Sequence, residues 1–265
     1  MKFSKVNYLL IGFILLWVIL ALFFGIYDLQ ISIFVVDEIS VWGEFGALYG
    51  EIPGYALIAA ALTIFLGGFI KKIAWQKIFA FIALGVGVIY LAIGMLSSDT
   101  ANFSLGFLMI LSLSIIIIIT WNKDLSKYRK LSGIISALSI INPLLFTQLV
   151  KIFWGRVRFR DLAPGFSNYT PWFIPRGITG NQSFPSGHAA MSTMFLPLII
   201  YFKRKQMNIS LKAFFIIVII VWGLFVAFSR VVIGAHFASD VLFSSMVAVI
   251  FTIYAYKRFY NNEST

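Results

Sequence analysis

The sequence predicts an all-α, polytopic transmembrane helical bundle of about eight spans, and three observations carry that prediction. Hydrophobic residues fill 60% of the 265 positions and charged residues only 12%, with a mean hydropathy of +0.94. Soluble domains carry about twice that share of charge, so neither a soluble globular enzyme nor a disordered chain fits. Eight apolar runs approach the ~20 residues that a helix needs to cross a bilayer. The charges, finally, sort by side once those runs are drawn.

The first run, 8–27, follows Met1-Lys2-Phe3-Ser4-Lys5. It is longer than a signal-peptide core and lacks a small-x-small cleavage site, which predicts an uncleaved first helix. The second, 53–70, carries Gly54, Gly67 and Gly68. Runs at 78–96, 105–121 and 131–150 follow, then a short one at 188–202 that starts from a polar loop, then 210–229 and 237–256. No soluble domain or linker fits between them. Residues 1–130 read as N-terminal membrane spans and 131–265 as a catalytic core, together one integral-membrane domain. Cysteine is absent, which excludes disulfides, thiol catalysis and Cys-ligated metals.

With the N-terminus inside, fifteen of the 21 Lys and Arg residues fall on the inner side with two acids, Asp124 and Glu263. The outer side holds eight acids and six cations: Lys151, Arg156, Arg158, Arg160, Arg176 and Arg230. This positive-inside bias supports both the span count and the orientation, with both termini cytoplasmic. The net charge of +11 is therefore a topology signal and no sign of nucleic-acid binding. The six outer cations work against that signal. Each alone is compatible with snorkelling at a helix end, but all six cluster in 151–187 and 229–236.

Three stretches in those regions carry chemistry. Lys151 and Arg158 are seven apart and would share a helix face; the competing reading is a basic patch on lipid headgroups. In Pro185-Ser186-Gly187-His188, Ser186 is a good N-cap and Gly187 permits close backbone approach. Such a helix start suits a phosphate, although an ordinary cap with a surface His fits too. In Ser229-Arg230-x5-His236-x3-Asp240, the i,i+4 spacing lets Asp240 reach the imidazole. A carboxylate on one ring nitrogen would fix the tautomer and leave the other to attack; a structural His–Asp pair is the plainer alternative. The chain has only two histidines, and both lie in these stretches. His188, His236 and Asp240 could also hold zinc, but a cluster of cations suits an anion better than a metal.

Lys151-x6-Arg158, Pro185-Ser186-Gly187-His188 and Ser229-Arg230-x5-His236-x3-Asp240 together resemble the tripartite signature of the type 2 phosphatidic acid phosphatase (PAP2) superfamily. The likeness covers roughly the last 120 residues, and Phe159 stands where the family usually has Pro. The family core has six spans, so two extra would lie at the N-terminus. The resemblance implies a metal-independent phosphohistidine mechanism without cofactors. His236 would attack phosphorus, supported by Asp240. Lys151, Arg158, Arg230, Ser186 and the Gly187 N–H would hold the phosphoryl oxygens, and His188 would protonate the leaving group. Fixed cations and backbone N–H groups suit phosphoryl transfer, which needs positioning and charge stabilisation above all.

Arg160, Arg176 and Trp172 lie outside the signature. Trp172-Phe-Ile-Pro-Arg176 resembles an interfacial anchor, and these residues are candidates for shaping substrate choice. The expected substrate is a lipid-linked phosphate or pyrophosphate of the undecaprenyl pyrophosphate, phosphatidylglycerophosphate or phosphatidic acid type, cleaved on the outer face of a bacterial cell membrane. The expected partners are this lipid substrate and membrane lipids. A lipid phosphotransferase is the nearest alternative. A lipid-phosphate transporter would place its polar set near the midplane and show internal repeats, which the sequence lacks; an idle binding protein would have no need of both histidines and Asp240.

Overall fold

A computed structural model describes residues 5–261. Lys2 and Glu263, both used in the charge assignment, and the chain termini lie outside the described residues. The chain is all-α as the sequence predicts, with no strand among the described residues. It is an integral membrane protein. Among the described residues, seven largely helical stretches are long and apolar enough to cross a membrane: 5–35, 41–67, 73–97, 100–120, 125–161, 209–232 and 238–259.

The remaining expected crossing, 188–202, differs in form. It is built from α8 (Gly187–Ser192), a 3-10 turn (Thr193–Phe195) and α9 (Leu198–Arg204). Two local causes break it. The Thr193 hydroxyl donates to the Ala189 and Ala190 carbonyls, at 2.7 and 3.0 Å, a back-bond that bends helices. Pro197 then lacks the N–H that a continuous helix would use.

The chain divides into two compact units, 48–139 and 1–47 with 140–265. The first holds α3 (Ile52–Gly67), α4 (Ile78–Ser97), α5 (Thr100–Thr120) and α6 (Arg129–Ser139). There α3 packs on α5 and α6, and α4 on α5. Asp99 caps α5 by accepting from Ala101 and Asn102 N–H at 2.9 and 3.2 Å. Gln76 ties the opposite turn, donating to Asp124 at 2.8 Å and accepting from Leu125 N–H at 2.7 Å.

The second unit carries all three sequence motifs. Here α1 (Lys5–Val35) lies along α11 (Ala238–Phe259), and α8 packs between α10 (Ile209–Val232) and α11. The short α2 (Val41–Tyr49) presses on α10, where a Cβ at Gly46 would stand 2.2 Å from the Ser229 hydroxyl. The fifth stretch passes through a π-helix at Ile140–Leu149 around Pro143, whose missing N–H disturbs the α-helical ladder. It ends in α7 (Val150–Trp154). The motif-bearing part of the chain thus packs with the first helix, far away in sequence.

Candidate active site

The third motif is set by the turn between α10 and α11. Ala235 and His236 both donate backbone N–H to the Arg230 carbonyl at 3.1 Å, which closes the turn. His236 is only 3% exposed, and Asp240 is fully buried in the first turn of α11. His236 Nδ1 meets the Ser183 carbonyl oxygen at 2.5 Å, whereas Asp240 Oδ2 stands 3.6 Å away. A carbonyl only accepts, so Nδ1 carries the proton and Nε2 the lone pair. The tautomer expected from the His–Asp spacing is present, but Ser183 fixes it. Asp240 reaches the ring only as a nearby charge because its oxygens are committed elsewhere. Oδ2 accepts from Ser183 Oγ at 2.6 Å and Phe237 N–H at 2.8 Å, and Oδ1 from Arg156 Nη1 at 2.6 Å.

Burial is the largest influence on His236 and lowers its pKa from 6.5 to about 4. Asp240 opposes this, and the charges of Arg230 and Lys151 reinforce it. The imidazole is therefore neutral at physiological pH, the state in which Nε2 keeps its lone pair.

Lys151 and Arg158 do not share a helix face. Gly155 adopts φ +58° and ends α7 after Trp154. A Cβ there would lie 2.1 Å from the Gly177 carbonyl, so this position needs glycine for both its conformation and its space. Arg158 sits beyond it in extended backbone, φ −73° and ψ 155°. Its Nε is buried without a hydrogen-bond partner, and the side chain lines a surface pocket of about 190 Å³ with Asp161, Gly180, Asn181 and Gln182.

Ser186 caps α8 as expected, its hydroxyl accepting from Ala189 N–H at 3.4 Å. Its own N–H donates to the Asp240 carbonyl at 3.0 Å, binding the second motif to the third. Gly187 opens α8, and His188 follows with Nε2 2.8 Å from the Ala47 carbonyl of α2.

The three residues proposed for substrate choice have structural ties. Trp172 is tied to the fold: Nε1 donates to the Ala21 carbonyl of α1 at 2.8 Å, and its own carbonyl accepts from Trp154 Nε1 at 2.6 Å. The indole also packs on Phe184 and Phe243. Arg176 donates through Nη1 to the Asn168 carbonyl at 2.9 Å. Arg160 is exposed, and its N–H donates to the Gly234 carbonyl at 3.1 Å beside the His236 turn.

Sequence reasoning missed the group beneath Asp240. Arg156 is 1% exposed and divides its guanidinium between two buried acids, Asp240 and Asp28 of α1, the latter through Nη2 at 3.0 Å. Ser239 joins them, accepting from Arg156 Nη1 at 2.8 Å and donating its N–H to Asp28 Oδ1 at 3.0 Å and its hydroxyl to Asp28 Oδ2. Nε donates to the Thr170 carbonyl at 3.0 Å, and the cation lies 4.0 Å over the Phe237 ring. The available signal was Asp28, placed just past the first run. The helix continues to Val35 and buries it. Among the described residues, no group of three or more His, Cys, Asp or Glu side chains could hold a metal ion.

A family model described as PAP2 superfamily matches residues 132–264. Over 67 residues the chain is 40% identical to phosphatidylglycerophosphatase B of Haemophilus influenzae, covering 25% of this chain and 28% of that one. Over 118 residues it is 32% identical to phosphatidylglycerophosphatase B of Bacillus subtilis, covering 43% of this chain and 52% of that one. The chain thus spans about half the length of one curated relative and under a third of the other. No solved structure matches.

Proposed function

The chain belongs to the PAP2 superfamily, and on that premise we propose that it is a lipid phosphatase that works through a phosphohistidine on His236. The observation that carries this reading is the His236 ring itself. Nδ1 is occupied by the Ser183 carbonyl, burial keeps the ring neutral, and Nε2 holds the lone pair. In the first step Nε2 bonds to phosphorus while the P–O bond to the lipid breaks, and the leaving oxygen takes a proton from His188. Water then attacks the phosphohistidine and gives its proton to His188, and inorganic phosphate departs. A ring whose Nε2–H is held by Ala47 carries its transferable proton on Nδ1. Lys151, Arg158, Arg230, Ser186 and the Gly187 N–H hold the phosphoryl oxygens, and the unpartnered Nε of Arg158 supports that role.

Among the three lipid classes expected from the sequence, phosphatidylglycerophosphate is favoured by the names of the relatives. The charge asymmetry supports an outer-face site and cytoplasmic termini. The test is phosphate release from phosphatidylglycerophosphate, phosphatidic acid and undecaprenyl pyrophosphate by the detergent-purified chain with EDTA present. Release should persist in EDTA and vanish in His236→Ala. Loss on chelation, or full activity of the variant, refutes the mechanism. Label transfer to a second lipid instead of water would identify a phosphotransferase. A reporter inserted within 160–180 should read as external; a cytoplasmic signal would reverse the orientation.

A further inference from the structure

We propose that Asp28, on the first helix and outside the family-matched region, is a positioning residue for His236. Through Arg156 it fixes the Asp240 carboxylate and leaves it the anionic neighbour that the ring requires on phosphorylation. This rests on the reading of His236 as the nucleophile.

The geometry gives each oxygen a task. Asp28 takes Arg156 Nη2 and both donors of Ser239. Asp240 takes Arg156 Nη1 on Oδ1, which leaves Oδ2 bonded to Ser183 and Phe237 and facing His236 Nδ1 at 3.6 Å. Ser183 therefore holds both ends of the arrangement, Asp240 through its hydroxyl and the ring through its carbonyl.

Charge explains why a second acid is present. His236 gains positive charge when Nε2 bonds to phosphorus, and an opposite charge nearby favours that state. Asp240 with Arg156 alone would be a neutral pair and give the ring little support. Asp28 takes the second arm of the guanidinium, so Arg156 is divided between two carboxylates and is not spent on Asp240 alone. Anchoring α1 does not require an ion pair, because Trp172 already bonds the Ala21 carbonyl and α1 packs along α11. The charged groups acting on His236 are Asp240 on α11, Arg230 on α10 and Lys151 on α7, with Arg156 and Asp28 behind Asp240.

The two histidines make the test direct. The full chain, labelled with ¹⁵N-histidine in detergent, is titrated by NMR, with His188→Gln to assign signals, and steady-state phosphate release is measured alongside. Asp28→Asn takes the second carboxylate from Arg156: the His236 midpoint should move down, and kcat should fall roughly ten- to a hundredfold with KM little changed. Arg156→Gln leaves two unpaired carboxylates, and the midpoint should move up by about half a pH unit or more. Asp28→Glu should recover part of the activity. A purely structural contact does not give opposite displacements for opposite charges, so no displacement, or the same direction in both variants, overturns the proposal. If neither neutral variant folds, Ser239→Ala decides: it keeps every charge but removes the hydroxyl bridge, and wild-type kcat there refutes positioning. A wild-type chain inactive on every lipid phosphate would instead refute the proposed function, while the His236 midpoints still decide the charge coupling.

Discussion

Burial of His236 makes a quantitative statement about pH. Its conjugate acid is pushed from 6.5 to about 4, so Nε2 keeps its lone pair until the solution is distinctly acidic. At pH 5.5 a ring titrating near 4 is about 97% neutral, whereas an unperturbed ring would be about 9% neutral. The acidic limb of the rate profile should therefore lie close to 4, with roughly tenfold more activity at pH 5.5 than an exposed histidine would allow. On the proposed mechanism, protonation of His236 lowers the rate as pH falls. Phosphomonoesters have their own second ionisation near 6, so the limb is to be read in kcat at saturating substrate. The same shift has a stability cost. The unfolded chain binds a proton below 6.5 that the folded chain refuses until about 4. Stability is thus complete above 6.5 and falls by about 3 kcal/mol as pH drops through that window. A kcat limb centred near 6.5 that falls toward acid would refute the account of a buried, Ser183-bound ring.

Other substitutions separate the roles around it. Ser183→Ala removes the hydroxyl bond to Asp240 but keeps the carbonyl on His236; it should destabilise by about 1–3 kcal/mol and lower kcat less than Asp240→Ala does, read from melting in detergent and initial rates. Trp172→Phe loses the bond to Ala21 and keeps the ring packing, so melting should report a loss of about 1 kcal/mol with kcat nearly unchanged. His188→Gln should lower kcat about 10²–10⁴-fold on lipid phosphates but far less on an aryl phosphate with an acidic phenol, because such a leaving group needs no proton; equal losses on both would remove His188 as the acid.

The helical class and the crossings were legible because burial in lipid demands long apolar runs with internally bonded backbones. The broken crossing at 187–204 was not, because its interruptions come from a Thr193 back-bond and Pro197 within a run that stays apolar. Spacing identified His236 and Asp240 as neighbours. It could not show that Ser183, 53 positions away, takes the ring nitrogen, since that contact is made by a loop. The i,i+7 argument for Lys151 and Arg158 failed at Gly155: helical periodicity holds only while the helix continues, and φ +58° stops it. Asp28 was visible as an acid at the end of an apolar run. Its partner Arg156 was visible as a cation on the wrong side. Nothing local links them.

That pairing bears on why the first segment of the chain packs with the motif-bearing region. Residues 1–47 lie outside the family match at 132–264, yet they pack in one compact unit with 140–265. They contribute Asp28, which completes the buried ion group under Asp240, and the Ala47 carbonyl, which receives His188 Nε2. His188 is therefore met directly by a group from this segment, and Asp240 beneath His236 is joined to it through Arg156. Burying two carboxylates and a guanidinium is costly unless the geometry and the extra hydrogen bonds are good, and removing one partner of such a set costs about 3–5 kcal/mol. Here Ser239, Ser183, Thr170 and Phe237 supply those extra contacts. Apolar replacements of similar volume are often neutral or stabilising in buried ion groups of this kind. On the proposed mechanism, the presence of three buried ionisable groups beneath His236 is more economically explained by the ring they support than by the helix they join.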